Sequence, residues 1–259
     1  MSSAALRKGK SPKGLLRRAR HALRNLLYPG LDLHTRNRAS LCAFWDHGLR
    51  DVLDAGSGNG YFSWLAYRSG ARVVAINFDR KQTEKAREFL IAYKGCDPRR
   101  LSFETATLYD LDKETRQFDE IVCYETIEHI RDDARVIRRF FRLLRPGGKL
   151  HLCAPNSGHP RHQRETLDAT ESGGHVRAGY TARSYRTLLE PAGFKIDKVV
   201  GIGPRSLYRT DEILRWVRRR IGDWFAVPLL VFMLPLVRWA KFDPDMPYSL
   251  YVRAEKPRG

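Results

Sequence analysis

The sequence predicts a doubly wound α/β domain built on a mostly parallel sheet, and three observations predict it. From residue 50 onward, short apolar strands alternate with amphipathic helices, the signature of stacked β–α units. The first strand runs straight into a glycine-rich bend, Asp54-Ala55-Gly56-Ser57-Gly58-Asn59-Gly60, and then into a helix. The composition is that of an ordinary globular chain: 259 residues, 42% hydrophobic and 29% charged. Those values exclude a wholly disordered, collagen-like or multi-span membrane protein.

In chain order, residues 1–13 read as a basic tail. Over 14–27, Leu15, Ala19, Ala22, Leu23 and Leu26 share one face of a helix, and Arg17, Arg18, Arg20, His21 and Arg24 occupy the others. Tyr28-Pro29-Gly30 ends it. Another helix is expected within 34–48. Strands are expected at Asp51–Ala55, Arg72–Asn77, 101–105, Phe118–Tyr124, Lys149–Ala154, Phe194–Gly201 and Tyr248–Ala254. The helices between them fall at 59–69, 80–93, 131–144 and 181–191. Pro146-Gly147-Gly148 stops the third of these, and Pro191 with Gly193 stops the fourth. Such sheets bind ligands beyond the carboxyl ends of their central strands.

Residues 202–247 are much longer than a usual connection. They contain 14 uncharged residues from Trp224 to Val237, with Pro228 and Pro235 among them. A bilayer needs about 20 apolar residues, so this stretch is too short to span one. Arg218, Arg219, Arg220, Arg238 and Lys241 flank it. The expected organisation is a basic tail and amphipathic helix over 1–33, then one domain over 34–259 with an apolar helical insertion at about 202–247.

The net charge of +18 is unevenly spread. Residues 1–50 carry 11 basic and 2 acidic side chains, residues 51–150 carry 18 and 16, and residues 151–259 carry 18 and 11. A near-neutral core with basic flanks suggests a catalytic domain held near a polyanion, either nucleic acid or an anionic membrane. No apolar run follows the early basic residues, so no secretory signal is expected. Cys42, Cys96, Cys123 and Cys153 lie far apart, which argues against a zinc ribbon or a disulfide scaffold and fits a reduced, cytoplasmic setting.

The chemistry starts at the bend. Glycine lets the backbone turn tightly and approach a ligand with no Cβ in the way. Asp79 follows 19 residues after Gly60, where an acid at the end of the second strand can accept both hydroxyls of a ribose. The spacing is G-x-G-x-G, with Tyr61 where a dinucleotide fold wants its last glycine. Asp54 would repel a diphosphate and suit a cationic ligand.

With these features the bend resembles the first motif of class I S-adenosylmethionine-dependent methyltransferases. Val74-Ala75-Ile76-Asn77-Phe78-Asp79 is similar to their acid-tipped second motif. Phe118-Asp119 through Glu125-Thr126-Ile127-Glu128-His129-Ile130 is similar to the fourth-strand segment of the branch that includes quinone-biosynthesis methyltransferases. Leu143-Leu144-Arg145-Pro146-Gly147-Gly148 resembles their turn before the fifth strand. The four motifs span 51–156 in the right order, and the likeness continues more weakly to residue 201.

The resemblance implies a seven-stranded sheet whose last, antiparallel strand inserts beside the sixth, with N-terminal helices and a helical insertion as additions. It implies S-adenosyl-L-methionine as cofactor. Gly56, Gly58 and Gly60, with Asp54 and Ser57 of the same loop, would line the methionine half. Asp79 would hold the ribose and Phe78 would stack near the adenine. Thr107 and Leu108 would hold the ring through backbone and hydroxyl groups, and Tyr124 and Glu125 would sit beside the methionine moiety.

Methyl transfer from a sulfonium is an in-line displacement with a neutral leaving group. Holding the nucleophile about 3–3.5 Å from the methyl supplies most of the acceleration. A hydroxyl nucleophile also calls for a base. His129 stands four residues after Glu125, on one helix face with it. It is a candidate base, or a histidine that packs on the next loop. His175 is the second candidate, in Gly173-Gly174-His175-Val176-Arg177-Ala178-Gly179-Tyr180. Related methyltransferases often carry H-x-R near the acceptor here, which makes Arg177 and Tyr180 candidate substrate contacts; alternatively the loop only closes over the site. His159, Arg161 and His162 show no metal-ligand spacing, so no metal is expected.

The flanks suggest the acceptor: a hydroxyl on a lipid, a lipid-linked sugar or another amphipathic small molecule, at the inner face of an anionic membrane. The same flanks also read as a helical cap over the pocket. An RNA methyltransferase gripping phosphates is the alternative. Against it, the fourth strand continues Cys123-Tyr124-Glu125-Thr126 rather than N-P-P-Y, and no RNA-binding module is recognisable. A cofactor-binding module without catalysis is a third reading.

Overall fold

The computed structural model describes residues 28–29, 32–222, 226, 228–233, 235, 242–243 and 245–258. The amphipathic helix expected over 14–27 lies outside them, as does part of the apolar stretch.

Seven strands form one sheet: β1 (Asp51–Ala55), β2 (Arg72–Asn77), β3 (Leu101–Thr105), β4 (Phe118–Tyr124), β5 (Leu144–Pro155), β6 (Lys195–Ile202) and β7 (Ser249–Glu255). Their spatial order is β3-β2-β1-β4-β5-β7-β6. β1 to β5 pair in parallel, and β7 runs antiparallel to both β5 and β6. The order reverses between β1 and β4, which opens a crevice at the carboxyl ends of those two strands.

Apolar side chains cover both faces, because every central strand is buried on two sides. One face packs on α4 (Asp133–Leu143) and α5 (Ala182–Leu189) through Val136, Ile137, Phe140, Tyr185 and Leu189. The other packs on α2 (Tyr61–Arg68), α3 (Arg80–Arg87) and the turn 39–44 through Leu41, Ala66, Ala86, Phe89 and Leu90. Alternation along β4 divides its residues between the two: Cys123 joins the first face and Tyr124 the second.

The strands expected from sequence all form. The helix expected over 80–93 is α-helical only to Arg87 and continues as a wider π-type coil over Glu88–Tyr93. β5 starts at Leu144, five residues earlier than expected. Leu144 already pairs with Phe118, and the Pro146-Gly147-Gly148 bend is a register irregularity within the ladder.

The insertion between β6 and β7 opens with α6 (Arg205–Arg220), and residues 228–233 are helical. Leu207, Leu214, Ala226 and Leu230 bury against Leu33 of α1 (Leu33–Arg38), a cluster separate from the two main cores. The insertion therefore packs on the N-terminal helix at the carboxyl edge of the sheet. Among the described residues, no helix is long and apolar enough to cross a membrane.

Candidate active site

The bend after β1 is held by β2: the amides of Gly56 and Ser57 both donate to the Ile76 carbonyl, at 3.0 and 2.8 Å. Gly56 has φ +90°, and a Cβ there would stand 2.2 Å from the Thr126 hydroxyl. Gly58 has φ +51°, and its Cβ position meets nothing within 4 Å. Only glycine adopts these angles without cost, and at Gly58 the bare backbone faces open space.

That space is a cavity of about 340 Å³ beyond β1, β2 and β4, a size within the usual range for ligand sites. Its wall includes Gly56, Gly58, Phe78, Thr107, Leu108, Glu125 and His129, seven of the residues singled out in the sequence. Asn77, Gln82, Thr126 and Ile130 complete it with others.

Other expected site residues lie elsewhere. Asp79 does not line the cavity. It is the N-cap of α3, and its carboxylate accepts from the amides of Lys81 and Gln82 at 2.8 and 3.2 Å. Asn77, two residues earlier and at the strand tip, lines the wall in its place. Asp54 is buried and accepts the Ser63 hydroxyl at 2.5 Å. Burial pushes its carboxyl up to about 6, against the hydrogen bonds from Ser63. It ties the bend to α2 rather than facing a ligand. Ser57 is buried as well. Gly60 opens α2 at φ +79°, and a Cβ there would press on Leu90 and Phe103, so it serves packing. Tyr124 is buried on the far face and accepts the Trp45 indole N–H at 3.0 Å.

Arg177 and Tyr180 also depart from expectation. Arg177 pairs with Asp133 and donates to the carbonyls of Ile130 and Arg131. The Tyr180 hydroxyl donates to Asp133 at 2.7 Å, and its ring stacks on Tyr185. Both pin the 171–180 loop to the start of α4, and neither is in the wall of the cavity that Gly56 and Gly58 line.

His129 and His175 do come together, with ring centroids 4.8 Å apart. Nδ1 of His129 donates to the Gly174 carbonyl at 2.8 Å, which leaves Nε2 with a lone pair. Burial holds His129 below its ordinary pKa. Nδ1 of His175 bonds Glu165 at 2.8 Å. Glu128 lies beneath them with its side chain fully buried, and among the described residues neither carboxyl oxygen has a hydrogen-bond partner. Burial first, and Glu125 second, push the Glu128 carboxyl well above the usual range. One atom each of Glu128, His129 and His175 lies within 4.8 Å of the others. Two imidazoles oriented through Nδ1 above an orphaned carboxylate make a donor set able to hold a divalent cation. Sequence spacing concealed it, because His175 is contributed by a distant loop.

Sequence reasoning also missed what lies beside Glu125. This residue has φ +49°, an uncommon angle for a side-chain-bearing residue and a form of strain that clusters at functional sites. Arg38 of α1 reaches across to its carboxylate at 2.7 Å, and the Ser249 hydroxyl donates to it at 3.2 Å. Glu125 also lines a second cavity of about 360 Å³. Asp32, His34, Arg38, His162, His175, Asp211, Arg215 and Tyr248 are among its other walls. Nothing in the sequence pattern of α1 or α6 signals this cavity.

Comparison with known proteins matches residues 14–199 to a family model described as a methyltransferase domain. The chain belongs to the S-adenosylmethionine-dependent methyltransferases. It is similar to "Methyltransferase GfsG" of Streptomyces halstedii, 39% identical over 209 residues, covering 71% of this chain and 72% of that one. It is 30% identical over 163 residues to a Mycolicibacterium smegmatis protein named "Probable S-adenosylmethionine-dependent methyltransferase", over 59% of this chain and 55% of that one. It is 36% identical over 107 residues to the "Ubiquinone biosynthesis O-methyltransferase" of Xanthomonas oryzae, over 40% and 43%. The chain thus spans about half the length of some of the curated relatives it matches. An S-adenosylmethionine dependent methyltransferase from Mesorhizobium loti shares the fold, with a TM-score of 0.56 at 20% identity over 86% of this chain and 100% of that one. S-adenosylmethionine is the family's cofactor.

Proposed function

We propose that this methyltransferase methylates a hydroxyl group of a small amphipathic acceptor. The observation that carries the reading is that Glu125 lines both cavities, while His129 of the first wall and His175 of the second stand with ring centroids 4.8 Å apart. S-adenosylmethionine, when bound, supplies a methyl group on a positively charged sulfur. The bare backbone of Gly56 and Gly58, together with Asn77, Phe78, Thr107 and Leu108, would hold it; the open Cβ position of Gly58 fits that role. The second cavity would orient the acceptor, and Nε2 of His129 would take the hydroxyl proton. A positioned base of this kind contributes about 10²–10⁴ in rate. Burial keeps the imidazole unprotonated near neutral pH, as a base requires. The relative named as an O-methyltransferase supports an oxygen acceptor.

In this reading the enzyme works against an anionic membrane from the cytoplasmic side. Ile213 and Trp216 of α6, and Ile221 just after it, are exposed on the segment that carries Arg219 and Arg220, and Phe232 of the insertion is exposed as well. Each basic residue near an anionic surface contributes about 1 kcal/mol. The test is transfer of labelled methyl from S-adenosylmethionine into lipid, glycan and RNA fractions of a cell extract. Label in lipid or glycan is expected, and label confined to RNA would overturn the acceptor. Absence of co-sedimentation with anionic liposomes at low salt would remove the membrane from the reading.

A further inference from the structure

The second cavity has a wall of unusual chemistry. Of its twelve residues only Pro155 and Leu214 are apolar. Three carboxylates and three guanidinium groups cancel in charge. Two of the pairs are formed within the wall: Arg38 with Glu125 at 2.7 Å, and Arg215 with Asp211. An anionic ligand therefore finds its counter-charges already matched. An apolar or quinol-like ligand would strand hydrogen-bonding groups, at about 1–3 kcal/mol for each one buried.

Two atoms of the wall already want partners. Among the described residues, Nε2 of His34 and Nε of Arg38 are buried without a hydrogen-bond partner. His34 Nε2 stands 3.7 Å from Asp211, too far for one. Burial lowers the His34 pKa to about 3, so the ring is neutral. A ligand hydroxyl, donor and acceptor at once, can serve either nitrogen. The His34 ring stacks on half-buried Tyr248, with centroids 4.1 Å apart, which gives the cavity one aromatic side.

We infer that the second cavity receives a neutral, polyhydroxylated head, a glycosyl unit, as the methyl-accepting end of the substrate. The inference rests on the reading of the first cavity as the cofactor site, and it specifies the acceptor. The membrane-facing insertion would leave an apolar tail outside the wall, so the tail and the head are recognised by different surfaces.

The test uses the full chain and four probes that share an octyl tail: octyl β-D-glucopyranoside, octyl phosphate, 4-octylphenol and octanol, all below their aggregation limits. Binding is read by saturation-transfer NMR, with and without S-adenosylhomocysteine, and the affinity for S-adenosylhomocysteine is measured separately by calorimetry. The sugar protons of the glucoside are expected to receive saturation, with affinity at least tenfold above each other probe. His34→Phe should weaken the glucoside about tenfold and leave S-adenosylhomocysteine within twofold. Arg215→Met serves the same purpose if His34→Phe does not fold. A preference for the phosphate or the phenol, or equal binding of glucoside and octanol, overturns the inference even when S-adenosylhomocysteine binds. Failure of S-adenosylhomocysteine to bind instead overturns the cofactor reading, and the glucoside comparison still decides what the second cavity takes.

Discussion

Replacing Gly58 by arginine separates the bend's role in binding from its role in folding. Among the described residues nothing lies within 4 Å of the Cβ position of Gly58, so the first atom of the new side chain is accommodated. The cost to folding is confined to the backbone angle, φ +51°, which penalises a side chain by about 1–2 kcal/mol. For a chain of this size that corresponds to a fall in Tm of about 2–8 °C. The arginine then enters a cavity of about 340 Å³ and fills space the ligand would occupy. Affinity for S-adenosylhomocysteine, measured by calorimetry, should fall at least 100-fold, about 2.7 kcal/mol. Gly58→Ala should show the same folding cost and a much smaller loss of affinity. Gly56→Ala should instead cost mainly stability, because its Cβ would collide with Thr126. A Gly58→Arg variant that folds and binds within threefold of the parent would refute the argument.

Asp79→Ala should lower stability by about 1 kcal/mol through loss of an N-cap while leaving cofactor affinity within twofold, whereas Asn77→Ala should weaken the cofactor about tenfold, both read by thermal melting and calorimetry. Asp54, raised from 3.8 to about 6, keeps its proton in the folded chain at pH values where the unfolded chain has lost it. Its contribution is therefore full below about pH 4 and lost as pH rises through about 6, a change of about 3 kcal/mol that Asp54→Asn should remove from urea unfolding curves. His129→Gln should lower transfer by about 10²–10⁴ without changing S-adenosylhomocysteine affinity. The parent's rate should fall on the acid side with a midpoint below 6.5, because burial lowers that pKa; a midpoint above 7 would contradict the role. Millimolar Mn²⁺ would occupy the Nε2 that serves as base, so it should raise the Tm of the parent but not of Glu128→Gln and should inhibit transfer; no rise in the parent would leave Glu128 as a neutral packing group.

The strands were legible because a sheet buried on both faces demands near-continuous apolar runs, and these runs are short and regularly punctuated. The bend was legible because its glycines follow β1 without a gap. Asp79 takes the capping position for a physical reason: the residue after a strand and before a helix is an N-cap, and aspartate is among the best caps. The capping preference competes with the ligand role, and Asn77, still inside the strand, keeps the wall position. The alternation along β4 sends the Tyr124 ring to the opposite face from Cys123, which the sequence motif alone did not show. Arg38, His34 and Asp211 carry no local signature, because they meet Glu125 only after α1 and α6 pack together. Glu128 reads as an ordinary acid until its burial is seen.

The chain leaves the sheet at Ile202 and re-enters at Ser249, and those two residues face each other across the β6–β7 ladder. The excursion thus departs from and returns to facing rungs of one ladder, so its span is not fixed by the sheet. Its length and composition can be exchanged without moving any strand or disturbing the bend that faces the first cavity. Evolution, or an engineer, can therefore rewrite which molecule is chosen while the machinery that delivers the methyl stays untouched.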